Sequence, residues 1–187
     1  MRKNFGQKTW FYPLPVLIIG SYDENGKADA MNAAWGGIYD TNQVVLCLSG
    51  NHKTTQNIKA KGAFTVSFAD AGHVAASDYV GMVSGNDTPD KMERAGFHTT
   101  KSEFVDAPLI DELPMALECR LVKVNEDGNI VGEIVNVNAD ESILDEQGLI
   151  DSAKLQAIAY DPVHNAYLKL GEKVGNAFRD GAALKQN

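Results

Sequence analysis

The sequence predicts a mainly β fold with inserted helices, arranged as an antiparallel barrel, and three observations lead there. Apolar runs of strand length are joined by tight-turn signals, Asn25-Gly26 early in the chain and Glu126-Asp127-Gly128 late in it; such pairs supply the positive φ angles of short hairpins. The helical stretches are gathered in the middle of the chain instead of alternating with strands throughout, which disfavours a doubly wound parallel sheet. Finally, no G-x-G-x-x-G follows a strand and neither G-x-x-x-x-G-K-[ST] nor G-x-S-x-G is present, so the glycine signatures of the common parallel α/β folds are missing.

The elements follow in order. Pro13-Leu14-Pro15 opens a buried strand over Val16 to Gly20, and a return strand runs from Lys27 to about Trp35. Gln43 to Ser49 is a third strand, followed by a helix over Thr54 to Lys61 that Gly62 stops. Ala63 to Phe68 is a fourth strand, with Phe64, Val66 and Phe68 alternating. Helices are expected over Asp70 to Val83 and over Thr88 to Ala95, the second opening with Thr88-Pro89-Asp90 and closing at Gly96. Met115 to Asn125 and Asn129 to Asn138 form a long hairpin, and Ala166 to Leu170 adds a last strand. Cys47 and Cys119 each lie in an apolar run and read as buried free thiols.

At 187 residues, a chain buries roughly 70% of its unfolded surface as one domain, so a single domain over 1–187 is expected. The formal net charge is −8, and residues 103–151 hold 13 acidic and 2 basic side chains. No basic face is available to displace counterions, which excludes nucleic acid and anionic membrane surfaces as general partners. A single anionic ligand in the charge-balanced first half stays open. The N-terminus lacks an apolar signal core and no run approaches about 18 apolar residues, so a soluble, cytoplasmic protein is expected. His52, His73, His98 and His164 are scattered without metal-ligand spacing.

Three segments could carry chemistry. Ser49-Gly50-Asn51-His52-Lys53-Thr54-Thr55 joins a strand to a helix, and hydroxyls and a lysine at a helix N-terminus suit an anion such as phosphate; a capped helix entry with surface polar residues is the alternative. Asp29-Ala30-Met31-Asn32-Ala33-Ala34-Trp35 is a strand of small residues, whose accessible backbone suits a flat ring with Trp35 as a wall, or else makes room for a packed helix or a neighbouring subunit. Asp78-Tyr79-Val80-Gly81 leads to the loop Ser84-Gly85-Asn86-Asp87 and to Lys91, which reads most simply as a solvated helix residue. Tyr160 and Tyr167 read as packing residues, and the carboxylates of 103–151 as a solvated face.

Taken in this order and spacing, these segments resemble the flavin reductase-like family of FMN-binding split-barrel proteins, flavoredoxins among them. The resemblance runs from Tyr12-Pro13-Leu14-Pro15-Val16 to Leu168-Lys169-Leu170-Gly171-Glu172 and includes Leu117 to Val122 and Ile130 to Ile134. It implies an antiparallel split β-barrel that binds FMN as a homodimer. Asn32, Ala33, Ala34 and Trp35 would line the flavin ring; Ser49, Lys53, Thr54 and Thr55 would hold the phosphate; Met31 and His52 would also belong to the cofactor site, and Lys91 would reach the cofactor from its helix. The chain departs from the family pattern at Ala33, at Gly50-Asn51 and at Asn129. The implied activity is electron transfer from NAD(P)H or a protein donor through FMN to flavin or another acceptor. An FMN electron carrier without efficient NAD(P)H oxidation is the alternative, and a non-flavin partner-binding barrel is a third.

Overall fold

A computed structural model describes residues 1–185. In chain order its elements are β1 (Leu14–Pro15), β2 (Leu17–Tyr22), β3 (Ala28–Ala33), β4 (Gly36–Asp40), β5 (Gln43–Leu46), α1 (Lys53–Lys61) and β6 (Ala63–Phe68). Then come α2 (Val74–Met82), α3 (Lys91–Ala95), β7 (Thr99–Lys101), β8 (Pro108–Ile110), β9 (Met115–Val124), β10 (Ile130–Ala139), α4 (Ser152–Leu155), β11 (Ile158–Asp161) and β12 (Ala166–Lys169). Among the described residues no helix is long and apolar enough to cross a membrane.

Seven strands form one antiparallel sheet in the order β3-β2-β6-β9-β10-β5-β4. Its two edge strands are consecutive in sequence, separated only by Ala34 and Trp35. Three Cα steps reach about 10 Å, far less than the width of seven strands spaced about 4.8 Å apart. The sheet must therefore curl until its edges meet. A side chain at Gly36 on β4 would stand 2.9 Å from Leu46 of β5 and 3.2 Å from Leu17 of β2, nearly across the sheet order. The fold is thus the mainly β, antiparallel split barrel expected.

The barrel interior is a cluster of Leu17, Ile19, Leu46, Phe64, Val66, Leu117, Cys119 and Ile130, sealed by Ile58 of α1. Val16, Ile18 and Ala30 project the other way, into a second cluster with Val80, Met92, Phe97, Ile110 and Ile158. Because successive strand residues face opposite sides, β2 is buried on both faces, which is why it reads as an unbroken apolar run. Burial pushes the Cys119 thiol up to about 12, and the Glu118 charge adds to the effect.

Several boundaries differ from the sequence expectation. The return strand does not run on to Trp35: it stops at Ala33, and β4 starts afresh at Gly36 on the opposite edge. The third strand ends at Leu46, not Ser49. There Leu46 and Leu48 turn into the core and Cys47 turns out, so Cys47 is exposed rather than buried, its N–H donated to the Trp35 carbonyl at 2.8 Å. Helix α2 begins at Val74 rather than Asp70, because the Asp70 carboxylate accepts from Gly72 N and His73 N and holds a turn instead. Similarly, Thr88 to Asp90 form a turn before α3. Short β1, β7, β8 and β11 carried no distinct sequence signal.

Two outcomes follow from this packing. A Cβ at Gly132 would sit 2.4 Å from Phe64 Cζ, a ring wholly enclosed by the barrel; Gly132→Ala should cost about 1–3 kcal/mol of overpacking, read as a lowered denaturant midpoint. The Tyr12 hydroxyl donates to Asp161 and leads in holding that carboxyl well below its ordinary 3.8. The stability so contributed is full above the unfolded pKa and is lost as pH falls through the lower folded value. Tyr12→Phe should therefore lower Tm more at about pH 6 than at about pH 2.5, measured by thermal melts.

Candidate functional site

Strand β3 is the spine of the site. Its alternation sends Met31 and Ala33 toward the barrel core, while Asn32 projects toward α2, donating to the Ser77 carbonyl at 3.0 Å. The approach is close: a Cβ at Gly81 of α2 would lie 2.7 Å from Asn32 Cβ.

At one end of β3, Asp29 is buried and receives two groups from other elements. Lys91 Nζ of α3 lies 3.0 Å from Asp29 Oδ1, and Thr54 of α1 donates its hydroxyl to Oδ2 at 2.5 Å. Lys91 also donates to the Val83 carbonyl at 3.4 Å and is only 3% exposed. It is therefore not a solvated helix residue. The loop after α2 closes tightly on this pair, since a Cβ at Gly85 would overlap Asp29 Oδ1 at 2.3 Å. A hollow of about 300 Å³ opens beside them, lined by Met31, Asn32, His52, Lys53, Thr54 and Lys91 together with the 80–85 segment. Helix α1 points its N-terminus here, and its N-cap His52 makes no side-chain capping bond, nor is there an acidic residue in its first turn. In contrast, Asp151 caps α4 by accepting from Ala153 N. Free first-turn amides, the partial positive charge of the helix end and the Lys53 ammonium make this hollow attractive to an anion. His52 Nδ1 is buried with no partner among the described residues.

A second hollow of about 270 Å³ continues from Met31, Asn32 and His52 along Ala33, Ala34 and Trp35 to Cys47, Leu48 and Tyr160. Because the Ala33 side chain belongs to the barrel core, that position contributes mainly backbone here. Trp35 is 57% exposed and stands at the rim.

Residues 9–158 match the model of the flavin reductase like domain. The chain belongs to the flavin reductase-like family. Among solved structures it is similar to flavoredoxin of Desulfovibrio vulgaris (Miyazaki F), with 36% identity and a TM-score of 0.93 over 97% of this chain and 100% of that one. It is also similar to flavoredoxin from Methanosarcina acetivorans, with 29% identity and a TM-score of 0.88 over 98% and 100%. An uncharacterized protein of Aeropyrum pernix is 28% identical over 121 residues, 63% of this chain and 45% of that protein, so the chain spans less than half of that relative's length.

In this flavin reductase-like chain the two hollows gather most of the residues singled out from sequence: Met31, Asn32, His52, Lys53, Thr54 and Lys91 in one, and Met31 through Trp35 with His52 in the other. Ser49 and Thr55 line neither. Ser49 is exposed and donates to Asn51 Oδ1 at 2.7 Å, whereas Thr55 is fully buried and its hydroxyl has no partner among the described residues. Asn129 bonds Asp127 in the β9–β10 turn and also lines neither. What sequence reasoning missed is Asp29, the acceptor that organises Lys91 and Thr54; an acidic residue on a strand of alanines was its only trace. Replacing Lys91 by Met strands a buried carboxylate and should cost about 3–5 kcal/mol. The double variant Lys91→Met, Asp29→Asn should recover most of that loss in a denaturant titration.

Proposed function

We propose that the chain binds FMN in the two joined hollows and works as an oxidoreductase, passing electrons from NAD(P)H or a protein donor to flavin or another acceptor. The observation that carries this reading is the uncapped α1 N-terminus with Lys53, set at one end of a groove whose other end is the small-residue strand and Trp35. Bound FMN would supply the redox chemistry, so the protein's part is binding, orientation and electrostatics.

Each residue's part follows from its contacts. Lys53 and the first amides of α1 would receive the phosphate. Thr54 already donates its hydroxyl proton to Asp29, so its contribution to a phosphate is its backbone N–H. Lys91 balances Asp29 at 3.0 Å, so that no uncompensated carboxylate faces the anion; its assigned role is that of a positioning residue. Backbone at Ala33, Ala34 and Trp35 would border the ring, with Met31 and Asn32 beneath the junction of the two hollows. Exposed Trp35 lines this groove, and exposed Ile38 and Tyr39 follow it on the edge strand β4; burying such apolar side chains supports a homodimer.

The similarity to two flavoredoxins favours a second reading, an FMN electron carrier that is reduced by a protein donor and not efficiently by NAD(P)H. Anaerobic stopped-flow separates the two, because bleaching of bound flavin by NADH or NADPH marks the enzyme. For either reading the purified protein should be yellow when loaded, and FMN at about 100 times its Kd should stabilise it by about 2.7 kcal/mol. Lys53→Ala should weaken FMN about tenfold and leave riboflavin nearly unaffected. No colour and no shift in Tm with FMN would overturn both readings; equal losses for both ligands would overturn the phosphate assignment.

A further inference from the structure

Neither the barrel nor the flavin reading uses the N-terminal arm. Residues 1–13 are exposed throughout, and their large rings with them: Phe5 is 55%, Trp10 38% and Phe11 68% exposed. Residues 1–12 carry Arg2, Lys3 and Lys8 and no acidic side chain. Two of the rings each have a cation of their own. Lys3 Nζ lies 5.4 Å from the Phe5 centroid and Lys8 Nζ 5.7 Å from that of Trp10, and these two rings meet edge to face at 5.2 Å. A cation over a ring gains strength when the pair leaves water together, so the arm is suited to a surface that is apolar inside and acidic around.

The chain carries such a surface. A hollow of about 330 Å³ is lined by Leu109, Ile110, Leu113 and Ala116 together with the carboxylates of Asp111 and Asp140, with no Lys, Arg or His among its lining residues. Residues 140–151 continue from it with Asp140, Glu141, Asp145, Glu146 and Asp151 and no basic side chain, and Leu149 and Ile150 stand exposed among them. Lys154, just beyond, gives its ammonium to the Leu144 carbonyl. Apolar residues within an acidic border match rings that arrive with cations, in shape and in sign.

A chain's arm is aimed away from its own hollow. β1 runs antiparallel to β11, with Leu14 opposite Tyr160 and Pro15 opposite Ala159, so the chain ahead of Leu14 heads toward the turn after Asp161. The Tyr12 hydroxyl donates to Asp161 and fastens the arm in that direction. Ile158, at the other end of β11, is the residue that shares a packed cluster with Ile110 and Leu113 of the hollow. We infer that the arm docks in the Asp111–Asp140 hollow of a second copy of this chain, and that two copies exchange arms about a two-fold axis. Twelve extended residues span up to about 40 Å, enough to cross onto a neighbour. Phe5, Trp10 and Phe11 of both arms, at about 150–250 Å² each, bring the exchange into the range of about 1,200–2,000 Å² that a stable interface buries. The inference rests on the homodimer of the proposed function and adds the segment and the hollow that hold it together.

Sedimentation velocity of the full chain over a dilution series at low salt gives the dimer dissociation constant. Reversing the arm (Arg2→Glu, Lys3→Glu, Lys8→Glu) should weaken the dimer at least about tenfold, and so should reversing the hollow's border (Asp111→Lys, Glu141→Lys, Glu146→Lys). An equimolar mixture of the two variants should return to within about threefold of the unaltered chain, because in a mixed pair each arm meets a hollow of opposite sign. A folding defect cannot be repaired by mixing. Trp10→Ala, which lies outside both packed clusters, should also loosen the dimer about tenfold and leave Tm at dimer-dissociating dilution unchanged. A full chain that stays monomeric would overturn the homodimer reading and the exchange with it. A dimer that the arm variants do not loosen would overturn the exchange alone, and arm-dependent binding to vesicles of anionic lipid would then assign the arm to a membrane surface. Loosening that mixing fails to repair would overturn it as well.

Discussion

A single buried carboxylate organises the anion-attracting end of the molecule. Asp29 comes from β3, its counter-ion Lys91 from α3 and its hydroxyl donor Thr54 from α1, so three separate elements are tied at one point. Burying two charges carries a large desolvation cost that only close pairing and further hydrogen bonds offset. Such a junction therefore tolerates little displacement, and it fixes where the α1 N-terminus points. Gly85 belongs to the same constraint, because the loop after α2 passes so close to Asp29 that no side chain fits there.

The consequence is a division of electrostatic labour along β3. At the Asp29 end, charge pairing leaves Lys53 and the helix end as the unbalanced positive groups. At the opposite end, Asp78 lines a hollow with no Lys or Arg among its lining residues. Between them runs a stretch of alanine backbone with little charge of its own. The overall charge of −8 says nothing of this polarity. No residue of the acidic 103–151 segment lines the hollow at the α1 N-terminus, and surface charges more than about 8 Å away are largely screened at physiological salt.

Much of the fold was legible in the sequence, and for identifiable reasons. Hairpins announced by Asn25-Gly26 and by Glu126-Asp127-Gly128 are local events, and so are helix stops such as Gly62, which adopts a left-handed φ of 69°. Pairings between distant residues were not legible. The strand through Ala33 reads as continuous to Trp35 because nothing local says that Gly36 will pair with Leu46 on the other edge. Cys47 looks apolar by its neighbours, yet a strict alternation with Leu46 and Leu48 turns it outward. Most of the candidate binding residues emerged as segments, whereas Lys91's real partner, 62 positions away in sequence, could be seen only in three dimensions.

The two-residue link between the barrel's edges sets a limit on how this architecture can diversify. Surface loops elsewhere can lengthen at little entropic cost and are the usual place where related proteins differ. Ala34 and Trp35 have no such freedom, because they are both the seam that keeps a seven-stranded sheet curled and a wall of the groove. An inserted residue there would loosen the closure and shift the groove's border together. Variation among proteins built this way is accordingly channelled into side chains at the seam and into length changes everywhere else.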